Sequence, residues 1–180
     1  QGYSSAASDV YKRQLLFRAT TPKGSHSSDP FWERAEETLV TALVLFIYLE
    51  CDPEDQNFAT VMFLLRNAQA SEEDEGKQNP VDTLFAEIAQ DHPEHIANQY
   101  WEAYKLAAGK TAKSILIMAS SRLKHFMLDE IADMTMEDEM DLASLGEKKR
   151  AIFVCTPVND TSFNYLVSMM YMQAFQQLYD

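Results

Sequence analysis

The sequence predicts a mainly α-helical domain flanked at both ends by short pieces of an α/β layer. Three observations carry that prediction. Apolar residues recur at three- and four-residue spacing through most of the chain. Asp29-Pro30 and Asn79-Pro80 each pair a capping side chain with a proline suited to a first helical turn. Finally, Ala151-Ile152-Phe153-Val154-Cys155-Thr156 is a β-branched and aromatic run followed by a polar turn and an apolar helical pattern, the texture of one βα unit.

Residues 1–14 are expected to be a non-native leader. Ser8-Asp9-Val10-Tyr11-Lys12-Arg13-Gln14 resembles translated adapter sequence, and the segment lacks the apolar core of a signal peptide. Residues 15–28 read as a short buried strand, Leu15–Thr20, and a linker through Thr21-Pro22-Lys23-Gly24. The helical domain then runs over 29–140. Its first helix is expected from Pro30 to about Glu50, with Trp32, Ala35, Leu39, Leu43 and Phe46 on one stripe and apolar residues on nearly every face beyond Val40. Cys51-Asp52-Pro53 breaks it, and a second helix is expected from about Glu54 to Ala70. The acidic stretch Glu72-Glu73-Asp74-Glu75 reads as a solvated loop.

Asn79-Pro80 opens a third helix to Gln90, Asp91-His92-Pro93 restarts a fourth through Ala107, and Lys110 to His125 forms a fifth. On the fifth, Ala112, Ile115, Ala119, Leu123 and Phe126 make the inward stripe. A short acidic helix and loop follow over 129–141. Residues 141–180 return to α/β texture, with a strand at 151–156 and a helix at 162–179. The chain ends at Asp180 directly after that pattern, which suggests an internal fragment of a larger protein.

Composition narrows the function classes. With 46% hydrophobic residues in 180, the chain can bury a core. A net charge of −13 argues against a surface that coats nucleic acid generally, while leaving room for a local basic patch. Two cysteines, Cys51 and Cys155, far apart and outside any CxxC pattern, predict inert thiols in a reducing compartment. The apolar stretch Val40–Leu49 is about half of the ~20 residues a membrane span needs.

Two short motifs must be weighed. Ala108-Gly109-Lys110-Thr111 resembles the end of a phosphate loop, but G-x-x-x-x-G-K-[ST] needs a glycine where Tyr104 stands and a strand where the pattern is helical. It reads as a helix junction. His92 and His95 are two imidazoles without a third ligand nearby, so they read as cap and surface residues rather than a metal site. No catalytic, cofactor-binding or metal-binding residues are expected in this chain.

The electrostatic exception lies between Ala103 and Leu128, a window with no acid but with Lys105, Lys110, Lys113, Arg122 and Lys124. On a helical wheel Lys110, Lys113 and Lys124 fall within about 60° of one another, opposite the apolar stripe. The window reads as a solvated helix face or as a contact for DNA or a protein partner. Sequence-independent phosphate contact requires little beyond spaced Lys and Arg.

Five blocks in order then resemble a known family: Asp29-Pro30-Phe31-Trp32-Glu33-Arg34-Ala35-Glu36; Gln56-Asn57-Phe58; Asn79-Pro80-Val81-Asp82; Lys105-Leu106-Ala107-Ala108-Gly109-Lys110-Thr111-Ala112-Lys113-Ser114-Ile115; and Ala151-Ile152-Phe153-Val154 with Thr161-Ser162-Phe163-Asn164-Tyr165-Leu166. They resemble the TraG/TraD-type coupling proteins of conjugative type IV secretion systems, over about residues 15–180. The resemblance implies a helical bundle inserted into a RecA-like α/β ATPase domain, of which only edge strands and one helix are present. It implies a parent that uses ATP and Mg, anchors in the plasma membrane with its bulk on the cytoplasmic face, and assembles as a homo-hexamer. Its partners would be single-stranded DNA, relaxase and relaxosome proteins, and the secretion channel. The family's nucleotide loop and acidic strand would lie outside residues 1–180, so isolated ATP hydrolysis is not expected. The competing readings are a free-standing helical interaction module without a motor, and a small phosphate-binding enzyme built on Gly109-Lys110-Thr111.

Overall fold

The computed structural model of the chain describes residues 30–68, 79–107, 109–137, 139–157, 159 and 161–179. The expected leader, the strand Leu15–Thr20, the Asp29 cap and the acidic loop lie outside them. The described residues are mainly helical, and none is in a β-strand. They divide into two compact units between residues 137 and 138.

The larger unit is built on α1 (Pro30–Glu50). From Leu39 to Leu43 five consecutive residues are buried, as are Leu45, Phe46 and Ile47. Burial of consecutive positions requires neighbours on several sides of a helix. Those neighbours are α2 (Phe58–Asn67), α4 (Ile96–Lys105) and α5 (Gly109–Arg122), all of which pack on α1. α3 (Pro80–Asp91) packs on α2 and α4, and a 3-10 turn, Lys124–Met127, leads to the short α6 (Asp129–Met134).

Local chemistry sets the boundaries, and it moves two of them. The second helix begins at Phe58 rather than Glu54, because Asn57 Oδ1 accepts the Thr60 amide at 3.0 Å and serves as its cap. Ahead of it, Gln56 Nε2 donates to the Tyr48 and Cys51 carbonyls, which lie at the end of α1 and have no helical partner of their own. α3 carries a full capping box: Asp82 N–H donates to Asn79 Oδ1 at 2.9 Å and Asn79 N–H to Asp82 Oδ2 at 3.1 Å. The fourth helix starts at Ile96, past His92-Pro93, since His95 is its cap.

Aromatic rings fill the core. Phe85 stacks on Trp101 with centroids 4.5 Å apart, Phe46 lies 5.1 Å from Phe85, and Phe58 stacks on Phe126 at 4.1 Å. Such pairs add about 0.5–1.5 kcal/mol each beyond the area they bury.

The smaller unit, described over 139–179, begins with Asp141 in the left-handed region (φ 47). Arg150 fastens this turn, donating Nη1 to the Met140 and Asp141 carbonyls and Nη2 to Asp141 Oδ2 at 2.7 Å. Hydrogen bonds from Ser144 and then Arg150 hold the Asp141 carboxyl below its ordinary range. Gly146 has φ +93, and a Cβ there would sit 3.1 Å from Leu178 Cδ2, so the turn needs glycine for its backbone and for its approach to α7 (Asn164–Tyr179).

One expectation is corrected. Residues 151–156, expected as a strand, carry no strand assignment, and every one of them is exposed, Phe153 at 89%. A strand's hydrogen bonds are all made to a neighbouring strand, and no described residue offers one. The helix that follows is present, starting at Asn164, but none of its residues is fully buried.

Candidate functional site

Within the acid-free window, Arg122 and Lys105 are committed to carboxylates of the helical unit. Arg122, at the end of α5, forks onto Glu36 of α1: Nε donates to Oε1 at 2.6 Å and Nη2 to Oε2 at 2.9 Å. Side-chain exposure is 13% for Arg122 and 1% for Glu36, so this charge pair is built into the core between two helices. A bidentate guanidinium–carboxylate fork is the geometry that makes such burial tolerable, because it satisfies donors and acceptors together.

Lys105, the last residue of α4, places Nζ 2.9 and 3.0 Å from the two Asp82 oxygens. Asp82 also accepts the Trp101 indole N–H at 3.2 Å and completes the capping box. One nearly buried carboxylate therefore ties the start of α3 to two residues of α4. Burial, and next the nearby Asp82 charge, push the Tyr104 phenol above its ordinary range.

The other three basic residues lie outward. Lys110 and Lys113 are exposed on α5, and Lys124 is exposed in the 3-10 turn beyond it. The structure thus separates the predicted set: Lys110 and Lys113 share a face by helical spacing, whereas Lys105 and Arg122 hold the fold together. The same face carries exposed Ile117, at 60%, and exposed Ser121. Ile117 is no part of the expected basic set, although its spacing of four from Lys113 and seven from Lys110 puts it on the lysine stripe. Glu36 was also missed, and its signal was similar: an acid three residues before Leu39 on the inward stripe of α1.

The remaining motifs resolve locally. Gly109 opens α5 with φ 54 and follows a helix, α4, rather than a strand. With a helix before it and Tyr104 where the first glycine would stand, Gly109-Lys110-Thr111 lacks the strand–loop–helix form of a phosphate loop, and no step involving a nucleotide is derived from it. His95 accepts the Ala97 amide at Nδ1 (3.2 Å) and places Nε2 2.9 Å from Glu50 Oε1. Nδ1 thus caps α4, while Nε2 ties its start to the end of α1. Among the described residues no group of three or more His, Cys, Asp or Glu is placed to hold a metal ion. Cys51 is partly buried, and its thiol is pushed up by burial and then by Asp55, Glu50 and Asp52, which disfavours a reactive thiolate. Among the described residues no helix is long and apolar enough to cross a membrane.

No curated protein and no solved structure matches the chain. A family model does, the one described as type IV secretory system conjugative DNA transfer, over residues 5–180, beginning inside the leader expected to be foreign. A match of that extent takes in the helical unit, the basic window and the 139–179 unit alike, and the chain belongs to the type IV secretory conjugative DNA-transfer family.

Proposed function

We propose that the chain is part of a TraG/TraD-type coupling protein and that residues 30–137 are its recognition domain, facing the cytoplasm. In this reading the parent anchors in the plasma membrane, assembles as a homo-hexamer, and couples ATP and Mg-dependent hydrolysis to the passage of single-stranded DNA and its relaxase into the secretion channel. The observation that carries the reading is the family match across a chain whose helical unit holds its own core. The exposed apolar side chains of 151–157 and α7, such as Phe153 and Phe175, are surface that a neighbouring layer of the parent would cover. The chain's own role is binding, through the α5 face.

Two measurements test this. The coding sequence flanking these residues should contain G-x-x-x-x-G-K-[ST] after a strand upstream, and a hydrophobic strand ending in Asp-Glu downstream. Their absence, with residues 1–180 standing free, would make the chain a helical interaction module with no motor. Within an intact conjugative element, reversing Lys110, Lys113 and Lys124 to Glu should lower transfer frequency while the intact protein keeps its ATPase activity. Transfer at the parental frequency would defeat the recognition role.

A further inference from the structure

The outward face of α5 has a composition that a nucleic-acid contact does not explain. Lys110, Lys113, Ile117 and Ser121 follow one another at three- and four-residue spacing, all exposed, with Lys124 exposed in the next turn. Ile117 is 60% exposed in the middle of this stripe. A phosphate backbone rewards the lysines but offers an isoleucine nothing to bury against. An amphipathic helix rewards both, since its apolar seam covers the anchor and its flanking carboxylates meet the lysines. Charge complementarity favours an acidic occupant: residues 103–128 contain no acid, in a chain of net charge −13. Lys105 and Arg122, the two basic residues bound to Asp82 and Glu36, frame the stripe without belonging to it.

We propose that the solvent face of α5 docks an acidic, amphipathic helical segment of a partner protein, with Ile117 as the apolar anchor and Lys110 and Lys124 pairing with its carboxylates. This deepens the recognition reading and rests on it, since it names the chemistry of what that domain recognises.

The test is fluorescence anisotropy with the full 180-residue chain and three labelled probes. The first is a synthetic amphipathic peptide with leucines at i, i+3, i+4 and i+7 between glutamates. The second keeps its charge but replaces the leucines by serine. The third is a single-stranded oligonucleotide. The first peptide should bind, and the leucine-free peptide should bind about tenfold more weakly or worse, the order of effect expected for one buried aliphatic anchor. Ile117→Ser should weaken the first peptide by a similar factor and leave oligonucleotide binding unchanged, with Ile117→Leu restoring affinity. Lys110→Glu with Lys124→Glu should weaken the peptide and flatten the loss of affinity at higher salt, since fewer attractive charge pairs are left to screen. Circular dichroism of each variant checks the fold, and Ile117→Ala provides a second, helix-favouring truncation.

Equal binding of the two peptides, indifference to Ile117→Ser and Ile117→Ala, or tighter binding of the oligonucleotide than of the first peptide would overturn the proposal. Loss of transfer on lysine reversal together with a failed peptide arm would leave the recognition role standing and remove this docking chemistry alone.

Discussion

The Glu36–Arg122 fork makes a prediction whose size can be worked from its geometry. Glu36→Ala removes a carboxylate that is 1% exposed and takes its charge away from a guanidinium whose side chain is 13% exposed. Losing one member of a buried pair costs about 3–5 kcal/mol, and the residual exposure of Arg122 places the expected loss near the lower end, about 3 kcal/mol. Both tryptophans, Trp32 and Trp101, lie in the helical unit, so fluorescence in a urea titration follows that unit alone. With a slope of about 2 kcal/mol per molar urea, the midpoint should fall by roughly 1.5 M. The double variant Glu36→Leu/Arg122→Met should recover to within about 1 kcal/mol of the parent, because an apolar pair needs no compensation. A loss below about 1 kcal/mol for Glu36→Ala is what an exposed ion pair would show. That result would refute the claim that this fork is part of the core.

Further outcomes follow from the same unit. By the same fluorescence assay, Asn79→Ala should cost about 1 kcal/mol through the lost cap, and Asp82→Ala about 2–3 kcal/mol, since it strands the Trp101 indole as well. Lys105→Met should cost less than about 1 kcal/mol because Lys105 is 41% exposed; a larger effect than Asp82→Ala would reverse the roles given to them. Tyr104 predicts an alkaline weakness. Its folded pKa lies above the ordinary value of 10.0, so the unfolded chain loses this proton first as pH rises. The unfolded state then binds fewer protons than the native state, so stability is full below about pH 10 and declines as pH climbs above it. Tyr104→Phe should flatten that decline in urea titrations across the alkaline range, and an unchanged slope would remove Tyr104 as its source.

Much of the helical unit was legible in sequence because its signals are local. Asn79-Pro80-Val81-Asp82 holds a complete capping box within four residues, and the inward stripe Ala112, Ile115, Ala119, Leu123 and Phe126 is buried throughout. The starts expected at Glu54 and at His92-Pro93 moved to Phe58 and Ile96 through competition between neighbouring caps: proline marked a possible first turn, while the side chains of Asn57 and His95 decided where amides were satisfied. The strand expected at 151–156 shows the opposite limit. Its residue types favour a strand, but a strand is completed only by another one.

The basic window marks the same division. Sequence alone determined that Lys105, Lys110, Lys113, Arg122 and Lys124 stand in an acid-free stretch, and that the lysines of α5 oppose its apolar stripe. It could not say that Arg122 would find Glu36, 86 residues away, or that Asp82 would take Lys105. Helical periodicity reports which face a residue occupies, a property of its near neighbours. Which charge is neutralised and which is left at the surface depends on helices brought together by burial of apolar area, and only the packed tertiary structure decides that.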